Sequence, residues 1–308
     1  LLMKCYLNKG AFVNRQTPTF DAADMQQVIT IGQSIMSGGK YSFTSDYFDN
    51  FGANNTVSSK EAIFSYLNTP GASNNSNVNA RWKMTLHYNS WDKELGGAGW
   101  NGFSTLSDFY NLFGATDRRI GGSYPGVTDV SGLKVGFLIG QQYYENGAKA
   151  YDRKGNPLNF TAAVQLQETD PVAIENAGIR VIKYPPDYAH YDGSAGNDLM
   201  FYRYSDVVLM VAEAQLRTGD AADALLNVNK LRISRGAVPL ASINLDGMLA
   251  ERGREFYWES MRRTDLIRFG KFLTPWQLKP TDDPKYLYFP IPNSALAVNP
   301  NLKQNPGY

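Results

Sequence analysis

Four aromatic residues, Trp82, Tyr88, Trp91 and Trp100, fall within nineteen positions of a segment rich in Asn and Gly. Aromatic side chains lose little conformational entropy when a ligand covers them, and a binding site needs only a few oriented polar groups besides. A sugar ring would offer such a surface an apolar C–H face and a rim of hydroxyls. Trp100 followed by Asn101 therefore reads as a stacking plane beside a hydrogen-bonding amide, with Trp91 and Tyr88 extending it. Trp82 alternates with Met84 and Leu86 as in a half-buried strand, which argues for packing. A second aromatic and polar loop, Tyr188, His190, Tyr191 and Asp192, is a further candidate.

The same stretch contains Gly97-Ala98-Gly99-Trp100-Asn101-Gly102, a literal G-x-G-x-x-G. A dinucleotide site needs a buried strand before this loop and a helix N-terminus after it. A helix is expected, because Thr105-Leu106-Ser107-Asp108 has the capping-box form and Phe109, Leu112 and Phe113 fall at helical spacing. The strand is missing, since the loop is entered through the charged Trp91-Asp92-Lys93-Glu94-Leu95 and no βαβ alternation follows. The glycines are read instead as permitting a tight loop that displays Trp100 and Asn101.

Other chemistry finds less support. Asp92, Glu94 and Asp108 lie near the aromatic cluster, and a glycoside hydrolase would need two such carboxylates facing each other across a sugar. Capping and solvated roles are the simpler reading of all three, and a glycoside hydrolase on a helical scaffold stands as an alternative. Glu251 and Glu255 stand one helical turn apart, but the arginines around them point to ion pairing rather than to a metal. His87 and His190 have no ligand-spaced partners. Asp46-Tyr47-Phe48-Asp49-Asn50 is oxygen-rich enough to suggest calcium, yet its spacing is unlike an EF-hand loop, so no cofactor is expected. Cys5, the single cysteine, sits among Leu2, Met3, Tyr6 and Leu7 and reads as an inert buried thiol.

The chain has 308 residues, 43% of them hydrophobic, and a net charge of +1. That balance argues against a nucleic-acid partner. No apolar run reaches the ~18 residues of a membrane span. The first residues, Leu1 to Leu7, start inside a helical pattern without a cap, as a fragment would.

Three stretches must position these residues. Residues 1–43 read as a helical pair, the first helix ending near Asn8-Lys9-Gly10, the second capped by Asp21 and stopped at Gly38-Gly39. Residues 44–200 are irregular, with short strands at Val135–Ile139 and Ile179–Tyr184. Residues 201–308 return to helices. There Gly219 suits the end of one helix and Asp220 the cap of the next, a pair of tetratricopeptide shape of which residues 1–37 are a looser copy. Asp246 is expected to cap one long helix to about Phe269, and an extended tail follows it.

Three motifs in order resemble those of the SusD/RagB family. Arg203-Tyr204-Ser205-Asp206-Val207-Val208-Leu209-Met210 with Ala212-Glu213-Ala214 resembles the family's "RYSDVLLMYAEA" helix. Glu251 to Phe256, then Arg262-Arg263-Thr264-Asp265-Leu266-Ile267-Arg268-Phe269, resembles "ERRREFAFEGHRWFDLIRWG". Phe289-Pro290-Ile291-Pro292 and Asn299 to Tyr308 resemble its terminus. The resemblance implies a mainly α fold, one domain lacking its N-terminal part, in which a tetratricopeptide-like platform carries an irregular ligand-facing segment with short strands. It implies a non-catalytic outer-membrane lipoprotein, surface-exposed, that binds oligosaccharides or polysaccharides and hands them to a SusC-like TonB-dependent transporter. Some members take peptides. The family's signal and lipid-attachment cysteine have no counterpart in these residues, and Cys5 does not match that cysteine. A tetratricopeptide scaffold for protein partners is the remaining alternative; it would call for more contiguous repeats.

Overall fold

The structure, a computed structural model, describes residues 1–72, 81–90, 99–190 and 194–308. Two helix pairs far apart in sequence meet in space. The first is α1 (Leu2–Val13) with α2 (Ala22–Ser37). Asp21 caps α2, its carboxylate accepting from the N–H groups of Ala23 and Asp24. α1 does not stop at Gly10 as expected. It runs on to Val13, and glycine is required within it because a Cβ at position 10 would lie 1.6 Å from the Thr19 carbonyl oxygen. Cys5 is also not in the core. Met3, Leu7 and Ala11, spaced by four, take the buried face of α1 and leave Cys5 on the exposed side.

The second pair is α3 (Tyr204–Arg217) with α4 (Ala221–Ser234). Gly219 adopts φ +90° between them and the Asp220 side chain accepts from the Asp223 N–H, as the local signals predict. α2 packs on α3 through Met25, Val28 and Ile29 against Val207, Met210 and Val211. The approach is close enough that a Cβ on Gly32 would sit 2.2 Å from Val211 Cγ2. Ala212, Ala224, Val228 and Leu231 fill the α3–α4 side.

The long C-terminal helix expected from the sequence is two helices, α5 (Leu245–Phe256) and α6 (Arg262–Arg268). The cap is Asn244, whose side chain accepts from Gly247 N–H, rather than Asp246. Between the helices Trp258 and Ser260 have φ of +58° and +62°. The break has a tertiary cause. The buried Lys183 ammonium donates to the carbonyls of Glu255 (3.0 Å) and Tyr257 (2.7 Å), and the Tyr47 hydroxyl also donates to Glu255. Those oxygens would otherwise serve the next helical turn.

Among the described residues the strands are short: β1 (Ala62–Tyr66), β2 (Gly121–Gly122), β3 (Val135–Leu138), β4 (Gly140–Gln141), β5 (Asn159–Phe160), β6 (Arg180–Ile182) and β7 (Leu199–Arg203). All pairings are antiparallel, β1 with β7, β4 with β5, and β3 between β2 and β6. The two strands read from sequence are β3 and β6. The capping box at Thr105 is absent. The Thr105 N–H is drawn instead to the Ile179 carbonyl at 2.7 Å, and the helix that follows is a single turn, Ser107–Tyr110. The fold is mainly α, with an aromatic core of Tyr47, Phe51, Trp82, Phe137, Phe160 and Tyr257 under the irregular segment.

A buried ionic lattice joins that segment to the helices. Glu255 accepts from Arg203 (3.0 Å), Arg235 (2.8 Å) and Arg119 (3.2 Å), and Glu251 from Arg119 (2.8 Å), Arg232 (2.6 Å) and Arg254 (2.6 Å). Glu61 and Glu259 close it through Arg203 and Arg235. The paired carboxylates of α5 are ion-paired scaffold, as their arginine neighbours predict. Among the described residues no cluster of His, Cys, Asp and Glu has the makings of a metal site. Asp46 caps a 3₁₀ turn, Tyr47–Asn50, in which Tyr47, Phe48 and Asn50 are buried.

Candidate functional site

The segment from Gly99 to Phe103 lies along the turn formed by residues 82–87. The N–H groups of Trp100, Asn101 and Gly102 donate to the carbonyls of Lys83 (2.6 Å), Leu86 (2.8 Å) and Met84 (2.8 Å). The backbones approach so closely that a Cβ on Gly99 would fall 2.1 Å from the Leu86 carbonyl oxygen. Of the glycine motif, Gly97 and Ala98 lie outside the described residues. Gly99 serves this contact, and Trp100 stands beside it with 52% of its surface exposed.

Asn101 does something other than the sequence suggests. Its φ is +50°, a conformation Asn tolerates better than most residues. Its Nδ2 donates to the Glu175 carbonyl at 3.1 Å and its Oδ1 accepts from Arg180 at 2.8 Å. The amide faces protein. It locks the turn that leaves the neighbouring indole outside.

Glu175 is the hub of this region. Its carbonyl also accepts from Arg180 at 2.9 Å. Its carboxylate accepts from His87 Nε2 (2.8 Å) through one oxygen and from Arg153 Nε (3.0 Å) and Nη2 (2.7 Å) through the other. Burial by itself would raise this carboxyl, but the bonds from Arg153 and His87 outweigh it and hold the pKa below the usual glutamate range. His87 accepts the Asn89 N–H on Nδ1 at 3.0 Å, so the proton of the neutral ring is on Nε2 and points at Glu175. Burial lowers its pKa despite Glu175, which keeps the ring neutral near pH 7. Arg180 is pushed down to about 10 by burial.

Tyr88 is half-buried, and the Arg153 guanidinium lies 3.9 Å from its ring centroid, covering one face. Trp82 is not a surface residue. It sits in a helical turn rather than a strand, is 2% exposed and belongs to the aromatic core. Trp91 lies outside the described residues. So do Tyr191 and Asp192 of the second loop, in which Tyr188 donates to Ser131 at 2.7 Å and His190 meets Asp187 at 3.0 Å. Asp92 and Glu94 lie outside them as well, while Asp108 accepts from the backbone N–H groups of Phe109 and Gln277, one on each oxygen. The structure therefore brings together Trp100, Asn101 and Tyr88. It adds Arg153, Glu175 and Arg180, which sequence reasoning missed. Only Arg153 carried a signal, its place beside the Lys154-Gly155-Asn156 turn.

Two concave features of the described residues lie elsewhere. A cleft of 310 Å³ is lined by Lys4, Tyr184, Tyr202, Arg252 and Arg268, and an apolar groove of 380 Å³ by Phe109, Leu112, Leu266 and Trp276. Trp100 is an open platform.

Residues 60–308 match the SusD family. The starch-binding protein SusD of Bacteroides thetaiotaomicron is 30% identical over an alignment of 159 positions that covers 46% of this chain and 28% of that protein. Among solved structures, B. fragilis NanU has a TM-score of 0.67 at 23% identity, covering 100% of this chain and 62% of that one. Surface glycan-binding protein A from Bacteroides thetaiotaomicron, in complex with laminarihexaose, has a TM-score of 0.66 at 19% identity, covering 99% and 62%. At these identities the solved structures speak for the fold. The chain spans less than two thirds of the length of each of these relatives.

Proposed function

Since the chain belongs to the SusD family, we propose that it binds oligosaccharides or polysaccharides at the outer-membrane surface without transforming them, and passes them to a SusC-like TonB-dependent transporter. The observation that carries this reading is Trp100, an indole 52% exposed on a turn held by backbone bonds and by the protein-bonded Asn101 amide. A preorganised aromatic plane is what a sugar C–H face needs, and its fixed backbone reduces the ordering cost of binding. The relatives' names point the same way: one is a starch-binding protein and another was solved with laminarihexaose. In this reading residues 44–200 carry the ligand face, to which Trp100 and Tyr88 belong. The helices of residues 1–43 and 201–308 form the platform, and a lipid anchor outside these residues holds the protein to the membrane. Affinity at one open platform is modest. Several contacts along one polymer, and residence over a transporter, raise the effective concentration.

The test is retarded migration in native gels containing soluble starch, laminarin or other polysaccharides, for the wild type and Trp100→Ala. Retardation of the wild type by one glycan, lost in the variant, is the expected result. Equal retardation of both proteins moves the platform away from Trp100. No retardation by any glycan favours a peptide ligand, and turnover of an oligosaccharide would overturn the non-catalytic reading.

A further inference from the structure

We propose that Arg153 makes this face selective for glycans that carry carboxylates, such as uronic-acid polymers; the inference rests on the glycan-binding reading above. Arg153 sits at the tip of a rigid turn. Asp152 N–H donates to the Asn156 carbonyl at 2.8 Å, and Asp152 Oδ1 accepts from the N–H groups of Lys154 (2.9 Å) and Asn156 (2.8 Å). Gly155 takes the φ of +83° that the turn demands. The tip holds its arginine 53% exposed.

The side chain is nonetheless fixed. Its guanidinium lies over the Tyr88 ring, and Nε and Nη2 both donate to one oxygen of Glu175, a carboxylate 6% exposed. Nη1 has no bond to a described residue. The planar fork is therefore oriented in advance with donors to spare, the arrangement that recognises a carboxylate. The same stack covers a face of Tyr88, so this flank presents a cation where it would otherwise present a second ring.

The surrounding charges permit this. Glu175 is buried behind the guanidinium and shared with His87. The Asp152 carboxylate is engaged by its own turn and by the amides of Asn156 and Asn176. Arg180, a buried cation, is bonded to carbonyls and to Asn101, with no carboxylate partner among the described residues. Lys154 reaches the Pro171 carbonyl. Because Glu175 anchors Arg153 by its side chain and Asn101 by its carbonyl, the cation and the indole turn are held by a single residue.

The experiment measures binding of the 308-residue chain, and of Arg153→Gln, to polygalacturonate, soluble starch and laminarin at low and at raised salt. The expected result is binding of polygalacturonate that weakens about tenfold or more in Arg153→Gln, the scale of one charge-assisted hydrogen bond, and that weakens with salt. Arg153→Lys keeps the charge, loses the fork, and is expected to fall between the two. A wild type that binds only the neutral glycans overturns this inference and leaves the glycan reading standing. So does a Gln or Lys variant that holds polygalacturonate as tightly as the wild type. Failure to bind any of the three overturns the glycan reading itself.

Discussion

The Arg180 guanidinium donates to Oδ1 of Asn101 at 2.8 Å, across 79 residues of sequence, at a backbone position where φ is +50°. The bond joins β6 to the turn that carries Trp100. It turns what reads as a ligand-facing amide into the pin of the platform.

The first prediction follows from that pin. Asn101→Ala loses two hydrogen bonds and forces a side chain into a left-handed conformation; Asn101→Gly loses the bonds alone. The alanine variant should be less stable than the glycine variant by about 1 kcal/mol, measured as urea midpoints. Equal midpoints would mean that backbone strain plays no part. Both variants should also weaken any glycan binding that depends on Trp100.

Gly99 should be irreplaceable for a different reason. A Cβ there meets the Leu86 and His87 carbonyl oxygens at 2.1 and 2.4 Å, and backbone cannot yield as a side-chain tip can. Gly99→Ala should cost about 1–3 kcal/mol, the range for overpacking. It should also shift the indole fluorescence of Trp100, read as the difference from the same substitution in a Trp100→Phe background. An unperturbed spectrum and midpoint would contradict the packing described.

The ionic lattice predicts asymmetry between breaking and replacing. Glu255→Ala leaves Arg203 and Arg235 buried with one carboxylate fewer and should destabilise by about 3–5 kcal/mol. The exposed pair Lys271–Asp246, at 2.9 Å, should change the midpoint by less than about 1 kcal/mol when Asp246 is replaced by Asn. Similar losses at the two sites would refute the distinction.

Acid should unfold the protein through that lattice and through a second buried set of ion pairs, Glu213 with Arg268 and Asp206 with Lys4 and Arg252. Burial raises the carboxyls of Glu213 and Glu251, but the Arg268 charge at the first and the Arg119 and Arg254 charges at the second outweigh it, leaving both at about 2 against an ordinary 4.5. Asp206 falls to about 2 from 3.8, the Lys4 and Arg252 charges outweighing burial in the same way. In each case the folded pKa lies below the unfolded one. The stabilisation is therefore complete above about pH 4.5 and is lost as pH falls towards 2. Urea midpoints measured from pH 7 to pH 2 should decline gently down to about 4.5, as the buried His87 ring with its lowered pKa resists protonation, and then drop steeply. A midpoint that rises below pH 4 would show that these pairs do not stabilise the fold.

What the sequence determined by itself is local or is carried by motif. Asp21, Gly219 and Asp220 mark helix ends because the groups they satisfy lie within three residues of them. The apolar periods of α2, α3 and α4 need no distant partner to be read. The arginine-rich motifs identified the family, and with it a mainly α architecture. Tertiary structure decided the rest. It divided the helix expected over residues 246–269, because Lys183 and Tyr47 claim carbonyls that the sequence assigns to the next turn. It sent Trp82 into the aromatic core and left Trp100 outside, a choice between two indoles that composition cannot make. It turned Asn101 inward to Glu175 and Arg180, 74 and 79 positions away. Burial and the pairing of a polar side chain depend on what the chain brings beside it, and these partners arrive from β6 and the turn before it, beyond the reach of any local pattern.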